Sequence, residues 1–202
     1  MKNLKFIFLA IFLLTAAFAN AQVSLSVRGG VNMSNIQTDE PNCVKSPKFG
    51  FNIGAFADFY VAHNMAIQSG LFFSTKGASE NIREANELER TVTGFSYFQV
   101  PVHFAYKIDV APGMRVVFHA GPYIALGVSS FVNVNDVKMR NAFGCRPYQY
   151  QPFDWGLGIG VGADFQRILV GIGLDFGLYD ISNQSNVRGR NQNAFLTVGY
   201  RF

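Results

Sequence analysis

The stretch DWGLGIGVGADF, residues 154–165, places a glycine at every second position and is the first candidate for chemistry. A glycine-rich loop that binds phosphate joins a strand to a helix N-terminus, where free backbone N–H groups point at the anion. Here Gly156, Gly158, Gly160 and Gly162 alternate with apolar residues, and the alternation continues on both sides. This spacing is typical of one strand face, whose N–H groups are used in the sheet. We therefore predict no nucleotide or other cofactor.

The three histidines are the second candidates, for acid–base or metal chemistry. By the alternation described below, His103 and His119 lie on the polar face of their segments, whereas His63 lies in a short connection. No serine, histidine and acid share a face and a depth, and no metal-ligand spacing repeats. The sequence therefore predicts no catalytic residue, no metal site and no enzyme. Buried hydrogen bonding is the expected role of the two inward histidines.

Eight segments position these residues, and in each of them apolar and polar residues alternate. A period of two is the signature of a strand with one apolar face. The segments are residues 22–35, 48–62, 65–76, 97–108, 115–128, 154–165, 168–179 and 194–202. After residue 22 no run of 18 apolar residues occurs, so no transmembrane helix is predicted there.

The connections between the segments alternate in length. Three are tight turns, AHN, DVAPG and QR, whereas the others are long and polar, at residues 34–47, 77–91, 129–152 and 180–193. An even number of strands with this alternation predicts an all-β fold: a closed antiparallel eight-stranded up-and-down transmembrane β-barrel with short periplasmic turns and long extracellular loops. If Phe165 lies opposite Ile168, the two glycine-rich segments pair with matching faces.

The two strand faces differ sharply in charge. One face is almost free of charge, so it must meet lipid, and closure leaves no strand edge in the hydrocarbon. Its aromatic residues near the strand ends are candidate interface girdles: Phe59, Tyr106, Phe165 and Tyr200 on the turn side, and Phe49, Phe98 and Trp155 on the loop side. The other face carries the predicted lumen charges, which are Arg28, Lys48, Asp58, Lys76, Lys107, Arg115, Asp154, Asp164, Asp175 and Arg201.

Eight strands enclose a lumen just wide enough for side chains, which favours ion pairs that fill it. A polar channel is the alternative. The inward faces Gly156–Gly162 and Gly171–Gly177 predict a smooth wall on which large groups such as Tyr123, His119 or Arg115 could lie.

The first segment, MKNLKFIFLAIFLLTAAFANAQ, has the charged, apolar and A-x-A parts of a secretory signal peptide. We predict cleavage after Ala21, which gives a signal peptide at 1–21 and a barrel domain at 22–202. Export permits a disulfide between the two cysteines, Cys43 and Cys145, in the first and third long loops. The basic residues are scattered, which excludes a nucleic-acid partner.

Several of these stretches resemble a known family. The strand YFQVPVHFAYKI at 97–108, the pair GLGIGVGADF and VGIGLDFGLYDIS, the signal peptide and the aromatic carboxyl end are similar to those of small outer-membrane β-barrel proteins of the porin or PorT-like family. The resemblance implies residence in the outer membrane of a Gram-negative envelope and no catalytic residues. One branch of the family is associated with protein secretion. The final strand, with Tyr200 and Phe202, resembles the signal that the barrel-assembly machinery recognises.

Three functional hypotheses follow. The favoured one is a non-enzymatic barrel in outer-membrane lipid that docks a protein, glycan or envelope complex through its loops. The alternatives are a small passive channel and an enzyme acting on outer-membrane lipid. Residues 79–90, expected to form a solvated surface or a short helix, and the third loop with Arg146, Tyr148 and Tyr150 are the predicted partner contacts.

Overall fold

The computed structural model describes residues 22–38, 45–84, 87–134, 137–140, 143, 150–182 and 188–202 of the 202-residue chain. They form nine strands: β1 (Gln22–Thr38), β2 (Lys45–Ala62), β3 (Met65–Glu84), β4 (Glu87–Ala111), β5 (Met114–Val134), β6 (Val137–Arg140), β7 (Phe153–Phe165), β8 (Ile168–Gly177) and β9 (Gly189–Arg201). Within these ranges no helix is long and apolar enough to cross a membrane.

Eight of the strands close into a barrel. Strands β1 to β5 pair antiparallel in chain order. β5 then pairs with β7, β7 with β8, and β8 with β9, all antiparallel. The ring closes where β1 pairs with β9, from Ser26 opposite Arg201 to Thr38 opposite Gly189. The predicted closed antiparallel eight-stranded barrel is confirmed. The short β6 is an addition that the sequence did not predict, and it pairs with the outer end of β5.

Alternation along the strands separates an apolar exterior from a polar interior. In β7 the residues Trp155, Leu157 and Ile159 are exposed on the outer surface, whereas Asp154 is fully buried inside. The predicted girdle aromatics lie on the outer surface, with Phe59 less exposed than the others. Phe98 lies in the middle of β4 and not near its end, because that strand extends beyond the predicted boundary. A side-chain period of two, applied to a closed sheet, thus produces a lipid-compatible wall around a polar lumen.

Three tight turns join strands at one end of the barrel, which we call the turn end; the opposite end is the loop end. Gly113 takes a positive φ of 77° in the turn between β4 and β5, a conformation that suits glycine. Gln166, with φ of 53°, begins the turn between β7 and β8. The predicted register of these two strands is confirmed, with Phe165 opposite Ile168 and Gly162 opposite Gly171.

The strands at the loop end are longer than the sequence predicted. β3 continues to Glu84 and β4 begins at Glu87, so the predicted long loop at 77–91 and the short helix at 79–90 are both wrong for the described residues. Backbone pairing runs from Gly77 opposite Gly94 to Glu84 opposite Glu87. This continuous ladder outweighs the charged composition that suggested a helix. Part of each other predicted loop is likewise strand, as residues 34–38, 45–47, 129–134 and 189–193 show.

The inward glycines of β7 lie where other groups approach closely. A Cβ added at Gly156 would lie 2.0 Å from the backbone oxygen of Phe176. A Cβ added at Gly160 would lie 2.5 Å from Nε2 of His119, and one at Gly158 would lie 2.8 Å from Nε2 of His103. Of the large side chains expected to lie against the inward glycines of β7, His119 does so at Gly160. His103, which was not among them, lies against Gly158.

Candidate functional site in the barrel interior

The barrel interior holds buried charges in two groups, with a pair of histidines between them. At the turn end, Asp58 is the centre of the first group. Its Oδ2 is 2.6 Å from Nζ of Lys107, its Oδ1 accepts a hydrogen bond of 3.0 Å from Nε2 of Gln68, and Nη2 of Arg28 is 3.7 Å away. Lys107 also donates to the hydroxyl of Tyr60 at 2.8 Å.

A second carboxylate at the turn end completes this group. Asp164 accepts a hydrogen bond from Arg201, and Nη2 of Arg115 is 3.8 Å from its Oδ2. Asp58 and Asp164 therefore pair with the four cations Arg28, Lys107, Arg115 and Arg201. The turn end of the lumen consequently carries an excess of positive charge.

His103 and His119 meet at mid-height. Their Nδ1 atoms are 3.0 Å apart, and their rings stack with centroids 5.2 Å apart and an interplanar angle of 13°. Such a bond needs one Nδ1 to donate and the other to accept, so the two rings share one proton between these atoms. The alternation indicated that both rings point inward, but it did not indicate that they touch.

A cavity of about 70 Å³ lies beside the histidine pair. One ordered water needs a cavity volume on the order of 10–15 Å³, so this cavity holds a few waters at most. Its wall includes the polar side chains of Arg28, Asn52, Ser74, His103 and Asp175. The lumen is therefore occupied mainly by side chains at this depth.

Towards the loop end, two buried carboxylates form the second charge group. Asp154 accepts hydrogen bonds from Asn191 at 2.9 Å and from the Tyr123 hydroxyl at 3.4 Å. Asp175 accepts from Gln99 at 3.2 Å and from Asn193 at 3.3 Å. In the described part of the chain no basic side chain lies within ion-pair distance of either carboxylate.

Lys76 is the basic residue closest to this group. Its ammonium donates to Oε1 of Gln99 at 2.9 Å and lies 4.9 Å from the centroid of the Tyr123 ring. Lys48 is a second ammonium in this half, at the loop end beside the Phe131 ring.

An aromatic cluster, which we call the cap, closes the lumen above these carboxylates. Phe95 packs against Tyr97, Phe143 and Tyr150, with ring centroids 6.0, 5.5 and 4.9 Å away. Buried Ile36 and Ile181 belong to the same cluster. Phe143 and Tyr150 lie between β6 and β7 in sequence, and the backbone N–H of Phe143 donates to Oγ of Ser130 at 3.0 Å. The sequence did not predict this closure, because these two residues lie outside the alternating segments.

The other predicted residues lie at the ends of the barrel or outside the described residues. Nζ of Lys48 is 4.4 Å from the Phe131 ring centroid at the loop end. At the turn end, the Tyr200 hydroxyl accepts from Arg167 at 3.1 Å, and Phe202 is 72% exposed. Residues 1–21, Cys43 and Cys145 lie outside the described residues, so cleavage and the disulfide stay predictions. The described residues contain no group of three His, Cys, Asp or Glu side chains that could hold a metal.

Comparison with known proteins places this geometry among outer-membrane barrels. A family model described as outer membrane protein beta-barrel domain matches residues 18–183. A search of curated proteins finds no significant match.

Three solved structures are similar to this chain in fold, and each of the three alignments covers 90% of it. OprG from Pseudomonas aeruginosa has a TM-score of 0.51 at 11% identity over 97% of its chain. The neisserial surface protein NspA has a TM-score of 0.49 and Ail from Yersinia pestis one of 0.43, both at 13% identity over 99% of their chains.

Proposed function

We propose that this chain, which belongs to the outer membrane protein β-barrel domain family, has a non-enzymatic role. In this role the barrel docks a partner at the cell surface. The protein is an outer-membrane β-barrel protein, so its turn end faces the periplasm and its loop end faces outward. We further propose that it is a porin-family, PorT-like protein and that residues 1–21 are a cleaved signal peptide. Tyr200 and Phe202 would then present the last strand to the barrel-assembly machinery.

The closed lumen is the observation that carries this proposal. Ion pairs around Asp58 and Asp164 occupy its periplasmic end, and the cap occupies its extracellular end. The cavity between them is about 70 Å³, which leaves no room for a solute larger than a few waters. A barrel with this interior is suited to present a surface rather than to conduct.

The extracellular ends of β3 and β4 offer such a surface. Beyond the outward pair Phe73 and Phe98, β3 continues to Glu84, roughly 35 Å along the strand at about 3.3 Å per residue. The described pairing of β2 with β3 ends at Lys45 opposite Glu80, whereas β3 and β4 stay paired as far as Glu84 opposite Glu87. We call residues 81–84 and 87–90 the hairpin tip, and we propose that a protein or a surface glycan docks there.

Site-specific photo-crosslinking in living cells tests the docking role. We expect a cross-linkable amino acid at Ile82, in the hairpin tip, to give a discrete adduct of higher mass with a protein or a surface glycan. The same amino acid at Ile172, on the lipid-facing surface, is the matched control and is expected to give none. A folded barrel that gives no adduct at Ile82, or equal adducts at both positions, would contradict docking by the hairpin tip.

The second candidate function is a small channel, which the polar lining of the lumen favours. Planar bilayer recording separates the two. We expect the purified protein to show no discrete conductance steps, because the cap and the ion pairs close both ends. Reproducible single-channel steps from folded, heat-modifiable protein would replace the docking proposal with the channel.

A further inference from the structure

We propose that the barrel interior binds one divalent transition-metal ion between Nε2 of His103 and Oδ1 of Asp175, beside the backbone of Gly158. This inference is independent of the docking role. Its two protein ligands come from β4 and β8, with β5 and β7 between them in the wall. They are 72 positions apart in sequence, so no local spacing could have indicated them.

The first argument is that both ligand atoms are buried and lack a partner. Asp175 is 4% exposed and His103 is 6% exposed. Oδ1 of Asp175 and Nε2 of His103 have no hydrogen-bond partner among the described residues. A buried polar atom of this kind requires a donor or a cation. Both atoms also converge: a Cβ at Gly158 would lie 2.8 Å from one and 3.0 Å from the other.

The second argument is that neighbouring groups orient both ligands. Gln99 and Asn193 hold Oδ2 of Asp175, which leaves Oδ1 directed towards the cavity. Nδ1 of His103 is 3.0 Å from Nδ1 of His119. If Nδ1 of His103 carries the proton and donates it to this bond, Nε2 of His103 keeps a free lone pair. Histidines that bind metals usually donate their second N–H in this way. His119 is therefore a positioning residue.

The third argument is the chemistry of the remaining wall. Oδ1 of Asn52 and Oγ of Ser74, both buried in the cavity wall, also have no partner among the described residues. A cavity of about 70 Å³ accommodates an ion with waters that bridge to these oxygens. One imidazole nitrogen with one carboxylate oxygen suits Zn²⁺, Co²⁺ or Ni²⁺ better than Mg²⁺ or Ca²⁺, which prefer oxygen ligands alone.

The fourth argument is electrostatic. The ion would lie beside the second charge group, in which neither Asp154 nor Asp175 has a basic side chain within ion-pair distance among the described residues. Arg28 also lines the cavity and opposes a cation there. Its guanidinium pairs with Asp58, 3.7 Å away, and lies 4.4 Å from the Phe56 ring centroid. Of the charged groups in the cavity wall, only the Asp175 carboxylate would contact the ion.

Co²⁺ binding to untagged full-length protein purified from outer membranes tests the site. We expect one equivalent by calorimetry and by the visible absorption of bound Co²⁺, with the stoichiometric binding lost in His103→Ala and in Asp175→Asn. His63→Ala is the matched control and is expected to bind as the parent does, since His63 is an exposed turn residue. His119→Phe keeps an aromatic ring beside His103 and is expected to bind about 10- to 100-fold more weakly.

Folding of each variant is checked by heat-modifiable gel migration. Crystals of the unaltered protein grown with Zn²⁺ supply a test that needs no variant: an anomalous peak at the Zn edge within bonding distance of both ligand atoms is expected. Unaltered protein that binds no Co²⁺ and shows no such peak would overturn the proposal. Binding that survives in both the His103 and the Asp175 variants would do the same.

Discussion

Replacing Asp58 with alanine is expected to lower the free energy of unfolding of the barrel by about 3–5 kcal/mol, because removing one partner of a buried ion pair leaves the other charge uncompensated. Lys107, 1% exposed, would lose its 2.6 Å carboxylate partner inside the lumen. Arg28 and Gln68 would lose the same partner. One carboxylate holds side chains from three different strands, so its loss loosens the whole periplasmic end.

The measurement is urea unfolding of the barrel in lipid vesicles, followed by the fluorescence of Trp155. This is the only tryptophan in the chain, and it lies on the lipid-facing surface, so its emission changes when the barrel leaves the membrane. Asp109→Asn is the control. Asp109 lies 3.6 Å from His63 at the exposed turn end, and surface pairs contribute about 1 kcal/mol or less. Equal effects of the two substitutions would contradict the ion-pair interpretation.

A double variant distinguishes removal of the whole Asp58–Lys107 ion pair from removal of Asp58 alone, which leaves Lys107 buried without its carboxylate. Replacing Asp58 with leucine and Lys107 with methionine together removes both charges, and such replacements of whole buried pairs are often neutral or stabilising. We therefore expect the double variant to be more stable than Asp58→Leu alone. Additive destabilisation by the two changes would show that the charges do not interact.

Replacing Phe95 with alanine is the second substitution with a large expected effect, about 3–5 kcal/mol of unfolding free energy for a buried aromatic ring. Phe95 is 2% exposed and is the ring that Tyr97, Phe143 and Tyr150 all contact. Its removal would leave a cavity at the centre of the cap. The same vesicle assay measures the loss of stability.

Phe98 is the matched control because it lies three residues along the same strand and faces outward. Phe98→Ala removes the same atoms from the lipid-facing surface, where acyl chains can fill the space, so we expect a clearly smaller loss. Both variants should stay silent in a planar bilayer, because the ion pairs around Asp58 and Asp164 still close the periplasmic end. Equal stability of Phe95→Ala and Phe98→Ala would show that the cap does not stabilise the barrel.

Alternation of residue types was enough to predict the barrel, because lipid outside and polar groups inside impose opposite requirements on successive residues. In β7, Trp155, Leu157 and Ile159 alternate with glycines, and this also sets the register with β8. The pattern failed where the chain leaves the membrane. Residues 79–90 have no alternating apolar face that would indicate a strand, and their charged composition is typical of a helix.

Contacts inside the lumen were predictable only as far as the direction of each side chain. His103 and His119 meet as diagonal neighbours, because Ala105 pairs with His119 in the register between β4 and β5. A shift in that register between Ser96 and Tyr97 changes which residues face each other nearer the loop end. Such a shift has no signature in residue type. The cap was missed for a related reason, since Phe143 and Tyr150 belong to a segment without periodicity.

The pairing of β1 with β9 has a consequence for the cooperativity of the molecule. Every other pair of neighbouring barrel strands is consecutive along the chain or separated only by the short β6, whereas this pair joins the two ends of the described chain. Breaking it exposes two rows of backbone donors and acceptors to hydrocarbon at once, at a cost of several kcal/mol for each unpaired group. No strand can therefore leave the wall by itself, and all eight must be gained or lost in one transition.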